Sequence, residues 1–369
     1  MVKKTAQEPD KVYLERLVFM AALAVLSGFM QGARVALVCL ISVGMCMITD
    51  FLCCKIRRLR YNVKDAAVPF WGMCVAMMMP ASMPVLTIIL SSVICIAVGK
   101  HIFGASDNIV FPPAAISAAF LIICYPGDML YFPKYGEKYP VFEAFEGTLT
   151  RSVEYSLKLG NVPSKSMWDV MMGSVPGAIG TIYVLVILVC AVCMVIRRSN
   201  SLCAVLSCLT TAGVLAFFFP RADYSGLQSV FYELTTGYLL FGIVFAAAEP
   251  YRVPEKLVGR ILYGAVLGYI TMMFRYFGQT EGSFIFALLI TGALCSGFDR
   301  LVDNLAYFKK TYVSSFEHSK GRVQKGEVKL TDTQEIVLPE KYRYNTPPID
   351  GKIKRHKKHS KEDENDRQQ

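Results

Sequence analysis

The chain has 369 residues, 54% of them hydrophobic, with a mean hydropathy of +0.40 and a formal net charge of +10. A soluble domain sits near about 45–50% apolar, so the excess argues against an ordinary soluble enzyme. Residues 319–369 are strongly polar, which concentrates the apolar bias in the rest. What remains is a series of apolar runs of the length that spans a bilayer as a helix. Helices are the default spanning structure because the backbone in lipid must satisfy its own hydrogen bonds. The short alternating segments of a membrane barrel do not occur.

The expected fold is an all-α integral membrane protein of about ten transmembrane helices. The start, Met1 to Arg16, is polar and charged, and the first apolar run leads into a second, which reads as a retained helix and not a removed leader. The runs cover 13–31, 35–54, 66–80, 83–99 and 109–124, then, after a polar loop at 125–176, 177–196, 201–219, 228–248, 259–277 and 281–298. Span three ends at Met79-Pro80 and span eight at Glu249-Pro250, five spans later. Proline-broken segments in matching positions suggest two inverted five-helix repeats.

Lys and Arg set the orientation. The segment after span two holds Lys55, Arg57, Arg58, Arg60 and Lys64 against Asp65; span six ends at Arg197-Arg198; Arg252, Lys256 and Arg260 follow span eight. The stretch 126–170 instead balances Lys134, Lys138, Arg151, Lys158 and Lys165 against six acids. Both termini are therefore expected in the cytoplasm and the loop outside. The divisions are 1–12, a cytoplasmic N-terminus; 13–124, a first five-helix half; 125–176, an extracytoplasmic loop; 177–310, a second half; and 311–369, a cytoplasmic basic tail. The tail carries thirteen bases and nine acids in residues 319–369, includes Pro347-Pro348, and reads as disordered. It is suited to anionic lipid and not to nucleic acid.

The twelve cysteines are scattered, with Cys53-Cys54 and the Cys190/Cys193 pair the closest groupings. Two thiols on one helix do not make a four-ligand site, and only four histidines exist, so no metal centre is expected. No P-loop, dinucleotide fingerprint or zinc-protease motif is present. Gly173, Gly177 and Gly180 open span six, where free backbone N–H groups suit a phosphate; close helix packing is the other reading. Asp50, Glu233, Glu249, Arg260, Arg275 and Glu281 sit at or inside span ends, where ionisable groups often mark pathways.

Together these motifs resemble the RnfD/NqrB family, the membrane components of the Rnf electron-transport complex and of the sodium-pumping NADH:quinone reductase. The likeness runs through Asp65-Ala-Ala-Val-Pro-Phe-Trp-Gly-Met, Gly99-Lys100-His101-Ile102-Phe103-Gly104, and Asn108-Ile-Val-Phe111-Pro-Pro113-Ala114, where Pro112 replaces the family's Asn. It continues in Gly173 to Gly180, Ala248-Glu249-Pro250, Gly259-Arg260, Arg275 and Glu281-Gly282. The resemblance implies a membrane subunit of an ion-translocating (Na+ or H+) ferredoxin/NAD electron-transport complex in a bacterial inner membrane, inactive alone, with the other subunits and the lipid bilayer as partners. It also implies FMN on a hydroxyl of the loop, with riboflavin or a second flavin as further candidates. The matching stretch makes Ser152 the candidate phosphoester, with Thr148, Thr150 and Arg151 beside it; Thr150-Arg151 replaces the family's Gly-Ala pair. The short segment before the first span favours the Rnf type. The alternatives are a flavin-less scaffold paralogue and a small-solute channel on the same fold.

Overall fold

The computed structural model describes residues 9–62, 65–103, 110–136, 148–197, 201–247, 253–254, 256–278 and 280–324. Two long helices open the chain, α1 (Pro9–Gln31) and α2 (Arg34–Ile56). They are followed by α3 (Ala67–Met78) and α4 (Val85–Ile94), which continues as a π-helix over Cys95–Ile102, and then by α5 (Pro113–Cys124). The loop region contains α6 (Pro126–Met129), an antiparallel pair β1 (Tyr131–Pro133) and β2 (Leu149–Arg151), α7 (Val153–Lys158) and α8 (Met167–Met172). The second set is α9 (Val184–Ile196), α10 (Leu202–Phe218), α11 (Gly226–Thr235), α12 (Leu239–Phe241) with a π-helical continuation Gly242–Ala246, α13 (Leu257–Tyr276) and α14 (Ser283–Gln324). Residues up to Lys309 form one compact body; Lys310–Gln369 form a second unit, whose described part is helical.

Among the described residues, ten apolar helical segments thus stand where ten runs are read from the sequence, but their lengths correct the expectation. Four helices are long and apolar enough to cross a membrane, or six if each bent pair is one span. Helices α3 and α5 have 12 residues each. At 1.5 Å per residue such a helix is about 18 Å long, well short of a hydrocarbon core of about 30 Å. Expected span six begins seven residues late, at Val184. The last helix runs on to Gln324, so the opening residues of the tail, expected disordered, are helical. The rest of the tail lies outside the described residues, as do residues 1–8, part of the polar loop (137–147) and Glu249.

The breaks follow local chemistry. The Asp65 carboxylate caps α3 by accepting from the Ala67 N–H at 3.0 Å. Met79 turns extended (φ −91°, ψ 156°), as a residue before proline must. Pro113 sits at the first position of α5, where its missing N–H is harmless. Ser225 and Gln228 form a capping box at α11, and Thr236 leaves that helix in an extended conformation. From there the chain turns through Gly237 at φ +73°, and the two parts of this span differ by 62°.

A half-length helix leaves backbone groups without partners inside the membrane. The fold answers with its own chain. The carbonyls of Met77 and Met79, at the end of α3, accept from the N–H groups of Gly180 (2.8 Å) and Ile179 (2.9 Å). The Ser27 hydroxyl donates to the Ile179 carbonyl at 2.9 Å. The Gly173–Gly180 segment is therefore coil filling the gap between two short helices, and not the helix start expected. Gly173 closes α8 in the left-handed conformation (φ +80°). At Gly180 a Cβ would lie 2.7 Å from the Met77 Cβ. Around this junction the core is apolar, with Trp71, Phe70, Met77 and Phe241 fully buried. Leu40, Ile56 and Leu86 are more than 70% exposed, as apolar side chains facing lipid are.

Gly180→Ala is expected to destabilise the protein by about 1–3 kcal/mol through overpacking. Gly44→Ala, where nothing lies within 4 Å of the added Cβ, is expected to be neutral. Thermal unfolding of the two variants in one detergent reads the difference.

Candidate functional site

Charged residues collect at two opposite ends of the helices. Glu15 near the start of α1 pairs with Arg197 just after α9 (3.3 Å), and Lys256 before α13 pairs with Asp303 of α14. These helix ends therefore share one face. Asp50 lies 16 residues into α2, about 24 Å along the axis from its first residue at 1.5 Å per residue. The loop strands lie at the other end, since Pro133 and Tyr135 share a hollow with Met30 and Gln31 at the end of α1.

At the Asp50 end, the Lys100 ammonium bridges Asp50 (2.8 Å) and Asp65 (2.9 Å), and His101 Nε2 lies 2.9 Å from the same Asp50 oxygen. Asp50, Cys54 and His101 also place potential metal-ligand atoms within 4.8 Å of one another. Lys100 decides against a metal there: its ammonium already sits on Asp50 Oδ1 and supplies the positive charge an ion would bring. Below Asp50 on the same helix stripe lie Cys46 and Ser42. Ser42 donates to the Gly72 carbonyl (2.8 Å) and accepts from Ser92 (3.3 Å). A line of polar groups thus leads from Asp50 into the membrane interior.

The loop end holds a larger cluster of three arginines and three glutamates. Arg275, 1% exposed at the end of α13, donates to the Glu233 carboxylate (2.8 Å), the Glu233 carbonyl (2.5 Å), the Thr236 carbonyl (3.1 Å) and the Ser283 hydroxyl (3.2 Å). Arg221 binds Glu233 with two nitrogens at 2.5 and 2.8 Å. Glu154, on α7, brings its carboxylate to within 3.5 Å of Arg275. Gly237 makes room for it, because a Cβ there would collide with the Glu154 carboxylate. Arg151 pairs with Glu281 at 3.0 Å, donates to the Tyr131 hydroxyl at 2.9 Å, and lies 3.9 and 4.7 Å from the Tyr131 and Tyr155 ring centres. The six formal charges cancel, which is how a charged group is kept away from water at tolerable cost.

Burial pushes the Glu154 carboxyl up from its ordinary range, against the pull of Arg275 and Arg221. Burial and the neighbouring Glu154 charge raise Glu281, opposed by Arg151 and Lys158. Glu154 Oε1 has no hydrogen-bond partner among the described residues, so this is the least satisfied member of the cluster.

The expected site residues distribute unevenly. Ser152, Arg151, Arg275 and Glu281 come together. Ser152 caps α7, accepting from the Tyr155 N–H at 3.3 Å, and donates to Glu281 Oε2 at 3.4 Å. Gly177 shares a small cavity with Ser152, Glu154 and Glu281. The Gly173 N–H bonds the Val170 carbonyl (3.3 Å) and the Gly180 N–H the Met77 carbonyl (2.8 Å), so neither N–H is open to a phosphate. Thr150 points to the Phe132 carbonyl (3.4 Å) and Thr148 is exposed. Arg260 serves locally, donating to the Pro254 carbonyl at 2.8 Å. Arg221, Glu154, Asp65 and Lys100 join the clusters without having been expected as site residues. Asp65 and Lys100 carried a signal, each as a charge at the edge of an apolar run and within a family-like motif.

The fold and these clusters define a multi-pass α-helical membrane protein with a neutral ionic cluster set into broken helices at one face. The chain belongs to the NQR2, RnfD, RnfE family, whose profile matches residues 4–307. It is 26% identical over 209 residues to the B subunit of the Na(+)-translocating NADH-quinone reductase of Chromohalobacter salexigens, covering 54% of this chain and 49% of that protein. It is 23% identical over 246 residues to the D subunit of the ion-translocating oxidoreductase complex of Methanosarcina acetivorans, covering 66% and 73%. Against the D subunit of the proton-translocating ferredoxin:NAD(+) oxidoreductase complex of Clostridium ljungdahlii it is 20% identical over 288 residues, covering 77% and 87%. The match thus spans about half the length of the Chromohalobacter relative and most of the other two.

A raised carboxylate pKa means the folded state holds a proton that the unfolded chain releases. That stability is fully present below the ordinary value of 4.5 and is lost as pH rises through the raised value. Glu154→Gln is expected to flatten the decline of thermal stability across that window, measured on purified protein from pH 4 upward.

Proposed function

We propose that the chain is the membrane subunit of an ion-translocating electron-transport complex working between ferredoxin or NAD(H) sites on partner subunits. In this reading it lies in a plasma membrane with both termini cytoplasmic, the loop 125–176 outside, and two five-helix halves at 13–124 and 177–310. The observation that carries it is the neutral Arg–Glu cluster, which joins the loop to the ends of α10, α11, α13 and α14 in a chain of this family. A cation crossing the low-dielectric interior must exchange with buried oxygen ligands or titratable groups, and such groups in spans mark pathways. Asp50 with Lys100, Asp65 and His101 forms the inner mouth; Glu154 and Glu281 form the outer one. Glu154 is assigned as the group that exchanges H+, because burial raises its carboxyl above the ordinary range and its Oε1, 3.5 Å from the Arg275 guanidinium, is buried without a hydrogen bond. The relatives' names cover both ions.

The surroundings of Ser152 do not fit a flavin phosphoester. Its hydroxyl is 3.4 Å from the Glu281 carboxylate, which would repel a phosphate, and Arg151 is committed to that same carboxylate. The cavity beside it is about 30 Å³, room for a water or two and far too small for a flavin ring. This geometry favours the flavin-free form of the subunit. A bound FMN would supply one-electron chemistry, with the protein orienting and tuning it.

Two measurements test the proposal. A tagged chain is expected to co-purify with redox subunits, and its deletion to abolish NADH- or ferredoxin-dependent ion uptake by inverted vesicles. A chain that purifies alone and moves a small solute in liposomes contradicts this. On a denaturing gel the band is expected to show no flavin fluorescence. A fluorescent band that disappears in Ser152→Ala restores covalent FMN.

A further inference from the structure

Two hollows meet at the C-terminal end of α10. One is an open apolar groove of about 410 Å³ between α10 and α11, lined by Leu209, Gly213, Val214, Phe218, Val230 and Leu234. The other is a cavity of about 380 Å³ among the end of α7, the segment after α10 and the end of α13. Its walls include Lys158, Arg221 and Arg275, together with Phe219 and Tyr276, and no acidic residue among the described ones lines it. Consecutive residues link the two: Phe217 and Phe218 face the groove, and Phe219, Pro220 and Arg221 face the cavity.

Position and composition select the occupant. The hollows lie where α10 and α13 end, and the aromatic side chains at those ends, Phe218, Phe219 and Phe277, are exposed. Aromatic side chains gather at the level of lipid headgroups. An aqueous anion would have no use for the groove, and an uncharged hydrocarbon none for the cations. An anionic amphiphile needs both. Glycine at 213 keeps the groove open: a Cβ there would already stand 3.6 Å from Val230 Cγ1 and 3.8 Å from Leu234 Cδ1, so a longer side chain fills the space.

We propose that an anionic phospholipid of the surrounding bilayer binds here, its phosphate on Lys158 and on the Arg221 Nη1 that the two bonds to Glu233 do not use, and one acyl chain in the α10–α11 groove. The phosphate takes charge-assisted hydrogen bonds from the two cations, and the chain buries against apolar side chains. Lipid then rests on the same Arg221 that holds Glu233, so the bilayer supports the ionic cluster from outside. This inference does not depend on the redox reading and stands or falls separately from it.

The test is native mass spectrometry of the full chain released from nanodiscs of phosphatidylcholine and phosphatidylglycerol. The wild type is expected to retain one phosphatidylglycerol. Lys158→Gln and Gly213→Leu are each expected to lower that occupancy about tenfold, the loss of one charged hydrogen bond or one buried chain segment. Lys158→Arg is expected to restore it, and circular dichroism to show all variants folded. Displacement by millimolar inorganic phosphate, with Gly213→Leu without effect, would make this a site for free phosphate and overturn the lipid. Unchanged retention in both variants would overturn it as well. So would a photo-crosslinker at Val214 that, in native membranes, labels only protein.

Discussion

One buried guanidinium organises the loop face of this molecule. Where α11 stops at Thr235, its last carbonyls lose their helical partners while still among apolar side chains. Arg275 reaches across from the end of α13 and takes up the carbonyls of Glu233 and Thr236. Five N–H donors in a fixed fork allow it to do this and to bind the Glu233 carboxylate at once. The positive charge also meets the negative end of the α11 dipole. The bend in this span is thus held by a side chain in place of two backbone bonds. Removing the cation would leave Glu154 without its nearest partner and Glu233 with Arg221 alone, the kind of loss that costs about 3–5 kcal/mol.

The same constraint recurs at the centre of the protein, with a different solution. The end of α3 is closed by the N–H groups of Ile179 and Gly180, so a turn before α9 satisfies a helix that stops about a hundred residues earlier in the chain. Non-helical backbone at membrane depth is tolerated only where it is buried in protein or lines a cavity. Both breaks meet that condition. A uniform bundle would need neither, and would bury no such polar groups in its interior. The breaks therefore give the chain its polar interior, and the cluster of three arginines and three glutamates keeps that interior neutral.

Apolar runs made the number of helical segments legible, because their lengths and breaks are compositional. Where the runs hid breaks, they misled. Residues 177–183 carry no charge and run straight into the apolar helix that follows, and nothing in their composition says they pair with Met77 and Met79. In the site, Arg275, Glu233 and Glu281 were readable because a charge at the edge of an apolar run is expensive. Glu154 and Arg221 were not, since they lie in polar stretches where a buried charge and a solvated one look alike. The loop hydroxyl expected to matter, Ser152, proved to be a helix cap beside a carboxylate. Its neighbour two residues on, Glu154, carries the connection to the helix break.

The central claim is that the Arg275 fork, and not its charge alone, holds the α11–α12 break and, through Glu154, helix α7. Hydrogen exchange of the Arg275→Lys variant tests it directly, since lysine keeps the charge and loses the planar set of donors. The account predicts faster amide exchange at Gly237–Gly242 and, together with it, at Val153–Lys158. Exchange in both segments unchanged from the wild type would contradict it.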